Sequence, residues 1–262
     1  MLGRLVMTVT QGSARTPDEQ FMPDEQWDVY RSVIRRARSR GIQFGLGGAF
    51  GYATYTGDWR NTKDLDLFVT PENRDAMIDV LLAEGLEDYY EQVRYDRRWI
   101  YRGYRADTIV DIIWSMANQR AHVDQRWFDA ARTVELRGET LLVIAPEELL
   151  WQKLYILQRD RCDWPDVLNL IYALGPLLDW EHLLSRLEQD RPLLASMLSL
   201  YGWLCPARAQ SLPEWLWERL RMPAAADEGA PDVDANRVCL LDNRPWFPTA
   251  NIDPLKTPCP PW

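Results

Sequence analysis

The run Lys63-Asp64-Leu65-Asp66-Leu67-Phe68-Val69 constrains this chain more than any other stretch. Alternate residues of a strand share a face, so Asp64 and Asp66 project together while Leu65 and Leu67 enter the opposite side. The leucines require a covered sheet. The two acids require something cationic between them, because neighbouring carboxylates otherwise repel. A divalent ion holding a phosphate meets that requirement with hard oxygen ligands. Upstream, Gly47-Gly48 follows a short apolar strand expected over 42–46. Two glycines there let the backbone approach a ligand closely and present amide N–H groups at the next helix start, which suits a phosphate. The same pair also makes a tight strand-to-helix turn.

A third acid stands out downstream. Asp111 interrupts the apolar strand Thr108-Ile109-Val110-Asp111-Ile112-Ile113-Trp114. A lone carboxylate is costly to bury, so a metal, a proton from a reacting hydroxyl or a paired arginine has to justify it. Asp107, just before that strand, reads as a turn residue. With Asp64 and Asp66, Asp111 makes a carboxylate triad suited to phosphoryl transfer. Two acids hold Mg²⁺ or Mn²⁺ against triphosphate oxygens, and the third activates an acceptor hydroxyl directly or through a metal. Lys63 and Arg60 lie beside the first pair as candidate phosphate contacts, or as surface loop cations.

The rest of the chain alternates strands and helices. Residues 1–25 read as a flexible lead-in, and the first ten lack the long apolar core of a signal peptide. Trp27, Tyr30, Val33 and Ile34 recur at helical spacing over 26–40, and Gly41 ends that helix. A helix is expected over 49–55. Another starts at Thr70-Pro71, with Thr70 as N-cap, and runs to about Glu84. Strands follow over 98–104, 108–114, 133–136 and 141–144. The expected fold class is α+β, with a mixed β-sheet flanked by helices over 26–145. From Pro146 the pattern turns helical, with helices over 146–158, 166–173, 180–188, 192–203 and 213–220, giving a helical domain over 146–222. Residues 223–262 read as a linker and a proline-rich tail that either wraps back onto the body or forms a disordered end.

Composition narrows the function. The 262 residues carry a net charge of −9, which argues against a broad nucleic-acid footprint, though not against a local basic patch. Thirteen tryptophans point to core packing. Cys162, Cys205, Cys239 and Cys259 share no CxxC spacing, and only His122 and His182 could join them. Neither a structural zinc site nor a disulfide framework is expected, which fits a reducing cytoplasm. No run approaches the roughly 18 apolar residues of a membrane span. One stripe departs from the acidic background. Arg94, Arg97, Arg98, Arg102 and Arg105 interleave with Tyr95, Trp99, Tyr101 and Tyr104. It reads either as an acceptor groove with stacking aromatics or as the outward face of a sheet.

Taken together, Gly47-Gly48, Asp64-Leu65-Asp66 and Asp111 resemble the nucleotidyltransferase superfamily with a DNA polymerase β-like palm. Thr62-Lys63-Asp64-Leu65-Asp66-Leu67-Phe68 is most similar to bacterial minimal and abortive-infection-toxin-type members. Pro146-Glu147-Glu148-Leu149-Leu150 with Lys153, then Arg159, Asp163 and Asp166, resembles the downstream motifs of that group. The resemblance covers about residues 40–172. It implies an enzyme that moves a nucleoside monophosphate from an NTP to an acceptor, with Asp64 and Asp66 as metal ligands and Asp111 as the third catalytic carboxylate and a further metal ligand. It further implies that Gly47 and Gly48 cradle phosphate, that Lys153 contacts the nucleotide, and that Asp163 or Asp166 supports the site. Two departures bear on phosphate contact. Fifteen residues separate Gly48 from Asp64, longer than usual, and Ala49 stands where a serine or threonine is frequent. The acceptor stays open among RNA, a small molecule and a protein hydroxyl, with an antitoxin-like protein as a further partner. A nucleotide-binding regulator or toxin-like partner of the same fold with little turnover is the alternative.

Overall fold

The computed structural model describes residues 22–60, 62–223, 229–241 and 246–250. The sequence readings for the lead-in, for Cys259 and for most of the tail lie outside the described residues. The chain forms two compact units. One takes the described residues of 22–54 and 59–145, and the other takes 55–58 and those from Pro146 onward.

The first unit is built on a seven-stranded mixed sheet ordered β3-β4-β5-β2-β1-β7-β6. Its strands are β1 (Gly45–Leu46), β2 (Asp64–Phe68), β3 (Glu87–Asp88), β4 (Ile100–Arg105), β5 (Thr108–Ile113), β6 (Arg132–Leu136) and β7 (Glu139–Val143). β2 runs parallel to β5 and antiparallel to β1, and β1 runs parallel to β7. β2 therefore lies in the sheet's interior, with Leu65 and Leu67 fully buried on one face. Helix α1 (Asp24–Ser39) buries Trp27, Tyr30, Val33, Ile34 and Ala37. It ends where Gly41 turns to φ +67°, a backbone conformation open to glycine at little cost. The arginines crowding its C-terminal half are tethers. Arg35 and Arg38 hold Glu139 of β7 at 2.7 and 2.8 Å, and Arg36 pairs with Glu84.

Two expectations about this unit change in detail. The strand expected over 42–46 pairs only at Gly45 and Leu46, where it meets both β2 and β7. Thr70 does not cap a helix with its side chain. Pro71–Asn73 form a single 3₁₀ turn, closed by the Asn73 N–H on the Thr70 carbonyl at 2.9 Å, and α3 (Arg74–Ala83) begins after it. The β6–β7 hairpin turns on Arg137 and Gly138, both at positive φ, which matches the right-handed twist of the flanking strands. Helix α2 (Gly48–Thr56) follows β1, and the short α4 (Arg126–Asp129), absent from the sequence reading, brings Trp127 under Phe68.

The second unit is helical: α5 (Pro146–Leu154), α6 (Trp164–Leu174), α7 (Trp180–Leu187), α8 (Arg191–Leu204), α9 (Pro206–Gln210), α10 (Glu214–Arg219) and α11 (Ala235–Val238). All nine residues of α5 are buried, four of them polar or charged. Each of three charged residues finds a partner. Glu147 accepts the Asp179 N–H at 2.8 Å, Glu148 meets His182 at 2.6 Å and Arg186 at 2.9 Å, and Lys153 holds Asp163 and Asp166. This helix stops at Leu154, four residues short of the expected end. The chain then doubles back through a bridge between Leu157 and Cys162, which returns Asp163 to Lys153. In the segment read as linker, Asp234 caps α11 by accepting the N–H groups of Asn236 and Arg237. Of the tail, Phe247 packs on Tyr172 and the Trp246 carbonyl accepts from Asn169 at 2.6 Å.

Candidate active site

Cross-strand register assembles the carboxylates. Asp66 of β2 sits opposite Asp111 of β5, and Asp111 sits opposite Arg102 of β4. Paired residues share a sheet face, so Arg102, Asp111 and Asp66 form one row, with Asp64 two residues away on that face. One oxygen from each of Asp64, Asp66 and Asp111 can be chosen so that all lie within 4.8 Å of one another. Three carboxylates converging at that spacing offer hard oxygen ligands suited to Mg²⁺ or Mn²⁺.

The supports differ for each acid. Thr62 donates its hydroxyl to Asp64 Oδ1 at 2.7 Å. Gln26 of α1 donates to the Thr62 carbonyl at 3.0 Å and to the Tyr30 hydroxyl at 2.6 Å. Tyr30 is fully buried, and burial pushes its phenol pKa well up, with the three nearby aspartates adding to the effect. Asp66 is backed by the glycine turn. A Cβ on Gly48 would fall 1.7 Å from Asp66 Oδ2, and Gly48 sits at φ +53°. Gly47 is a glycine for another reason. A Cβ there would strike the Phe68 ring at 2.3 Å, while its N–H donates to the Asp66 carbonyl at 3.1 Å.

Asp111 is almost wholly buried, and both its oxygens are held by one guanidinium, from Arg102 Nε at 2.8 Å and Nη2 at 2.5 Å. Burial raises the Asp111 pKa above the ordinary carboxylate value. Arg102 pulls it back down, and Asp64 pushes it up. Of the metal, proton or arginine that could justify burying this acid, the arginine is present. Arg102 remains partly open to solvent and its own pKa is raised by the carboxylate it holds.

The remaining sequence candidates fall into two groups. Lys63 is exposed beside β2, and exposed Arg60 lies over the Tyr52 ring at 4.8 Å. Lys153, Asp163 and Asp166 come together in the helical unit, at 2.9 and 2.7 Å. Most of the arginine stripe is engaged within the chain. Arg97 pairs with Asp88, Arg98 with Asp96 at 2.8 Å, and Arg105 donates to the Glu84 carbonyl at 2.7 Å. Sequence reasoning missed Thr62, Gln26 and Tyr30 as supports of the triad, and Arg102 as a partner of Asp111. The only signal in the sequence was that Arg102 belongs to a strand whose neighbour carries a lone buried acid.

A family model described as "Uncharacterised nucleotidyltransferase" matches residues 49–209, more than half of the chain, and takes in the three carboxylates and the Lys153 cluster. No curated protein matches. Similar solved structures include that of the antibiotic-resistance factor ANT(2'')-Ia, at 14% identity and a TM-score of 0.49, covering 70% of this chain and all of that one. A lincomycin-bound lincosamide antibiotic adenylyltransferase, LnuA, shows 17% identity and a TM-score of 0.39, covering 57% of this chain and 96% of that one. An antigenic nucleotidyltransferase-like protein from Paracoccidioides brasiliensis shows 20% identity and a TM-score of 0.39, covering 68% and 94%.

Proposed function

The chain belongs to this nucleotidyltransferase family, and on that premise we propose that it transfers a nucleoside monophosphate from an NTP to the hydroxyl of a small acceptor. The observation that carries the proposal is the convergence of Asp64, Asp66 and Asp111 on one face of the sheet. Asp64 and Asp66 would hold a divalent ion, Mg²⁺ or Mn²⁺, which when bound neutralises charge on the triphosphate. Asp111 accepts the acceptor's hydroxyl proton. The hydroxyl oxygen attacks the α-phosphorus, the bond from that phosphorus to the bridging oxygen breaks, and pyrophosphate leaves with the electron pair. Gly48 keeps the space beside Asp66 Oδ2 clear, and the start of α2 offers backbone N–H groups to phosphate oxygens. Lys63 and Arg60 stand close in sequence to β2 as phosphate contacts. Lys153 serves as a nucleotide contact only if it leaves one of its two aspartates.

A small acceptor is favoured over RNA because Arg97, Arg98, Arg102 and Arg105 are occupied by partners within the chain. Overall charge points the same way, at −9. The test incubates the protein with each α-labelled NTP and Mg²⁺, against total RNA, a panel of hydroxyl-bearing small molecules, and protein substrates including a co-purifying partner. Label on a small molecule, lost in Asp66→Asn, supports the reading. Label on RNA or protein overturns the acceptor assignment. Nucleotide binding without pyrophosphate release across the whole panel supports a regulator instead.

A further inference from the structure

We infer that Arg102 is a positioning residue for the reaction. By holding both oxygens of Asp111, it assigns that acid to proton acceptance and leaves the divalent ion to Asp64 and Asp66. The inference rests on the nucleotidyl-transfer reading and deepens it.

Three observations support it. First, the contact is a fork, with Nε and Nη2 on separate oxygens of the same carboxylate at 2.8 and 2.5 Å. Such a pair fixes the plane of the carboxylate as well as its place, which a point charge would not do. Second, the fork is set by the sheet. Arg102 and Asp111 are register partners on β4 and β5, and Asp111 is in turn the register partner of Asp66. The guanidinium thus approaches Asp111 from the β4 side, across the row from Asp66. Third, the charges divide. Asp64 has a neutral donor, the Thr62 hydroxyl, on Oδ1, whereas both oxygens of Asp111 already face a cation. A divalent ion drawn onto Asp111 would meet that positive charge. Three carboxylates and one guanidinium leave two negative charges, enough to balance one divalent ion.

In the transfer step, an Asp111 oxygen takes the proton leaving the acceptor hydroxyl as the acceptor oxygen bonds to the α-phosphorus and pyrophosphate leaves. Arg102 keeps its own protons throughout, orienting the acid without touching the reacting atoms.

The test separates metal binding from turnover in the full-length protein. Mn²⁺ alone is titrated calorimetrically into wild type, Asp64→Asn, Asp66→Asn, Arg102→Lys and the double variant Arg102→Met/Asp111→Leu. The double variant removes the pair without leaving the buried Asp111 charge behind, a change that folded proteins commonly accept. Asp64→Asn and Asp66→Asn are expected to weaken Mn²⁺ by about 10-fold or more. Both Arg102 variants are expected to bind Mn²⁺ as wild type does. Arg102→Lys, which keeps the charge and loses the fork, is expected to lower kcat for label transfer by about 100-fold, with the KM for NTP unchanged. Loss of Mn²⁺ binding in the double variant, on the scale of Asp66→Asn, would make Asp111 a metal ligand and overturn the inference. So would full kcat in Arg102→Lys. A wild type that binds Mn²⁺ yet transfers no label removes the transfer reading, and with it the proton-accepting role. The metal assignment is then still decided by the calorimetry.

Discussion

At the scale of single residues, the site depends on what its neighbours lack as much as on what they carry. Gly48 is the clearest case. Alanine there would place a methyl group 1.7 Å from Asp66 Oδ2, on a backbone already at φ +53°. The left-handed conformation costs an alanine about 1–2 kcal/mol before the clash is counted. Gly48→Ala is expected to displace the Asp66 carboxylate and abolish transfer while the protein remains folded, as read by Mn²⁺ titration beside circular dichroism. Wild-type Mn²⁺ affinity in that variant would contradict the geometry. Thr62 carries the complementary role, since its hydroxyl fixes Asp64 Oδ1 at 2.7 Å. Thr62→Val retains shape and removes the donor, and should weaken metal affinity by about 10-fold, the lower end of what outer partners contribute. Gly47 reads differently. Its missing side chain makes room for Phe68, so Gly47→Ala should act on stability first.

At the scale of elements, helix α5 and its partners make a separate prediction. Lys153 is buried between Asp163 and Asp166, so removing it takes a buried cation from both acids and leaves Arg161 on Asp163. Lys153→Met should cost about 3–5 kcal/mol in denaturant unfolding. A loss well under 1 kcal/mol would say that the cluster is open to solvent and available for a ligand. The same cluster sets an acid limit. Burial raises the Asp163 pKa, but Lys153 and Arg161 outweigh it, and the net shift is downward from 3.8. A depressed carboxylate contributes its stability above its unfolded value and loses it as pH falls through the folded one. The Asp163 contribution is therefore complete above about pH 4 and lost below it. Wild type and Asp163→Asn should converge in stability in that acid range. Legibility in the sequence follows the same division. The strands around Asp64, Asp66 and Asp111 were readable because apolar residues of period two flank each acid, and most helices of the second unit because their apolar spacing is helical. The end of α5 was not, because no glycine or proline stands between Leu154 and Pro165 to mark it. The Arg102–Asp111 pair was not, because it depends on how β4 registers against β5. Thr62 and Gln26 were hidden for a similar reason, since the link between them joins residues 36 apart.

At the scale of the whole molecule, the sheet unit carries all three carboxylates, and the family match continues through α5, α6, α7 and α8. Among the described residues no helix is long and apolar enough to cross a membrane. On the small-acceptor proposal, added salt should leave acceptor use nearly unchanged. An RNA acceptor would instead show transfer falling steeply with salt. In the proposed reaction, Asp64 and Asp66 hold the ion that makes the α-phosphate reactive. Pyrophosphate release from NTP, measured with Mg²⁺ and the acceptor panel in wild type and in Asp66→Asn, tests it most directly. Release is expected from wild type, none without the metal, and none from Asp66→Asn although that variant is folded. Equal release by the two proteins would contradict it.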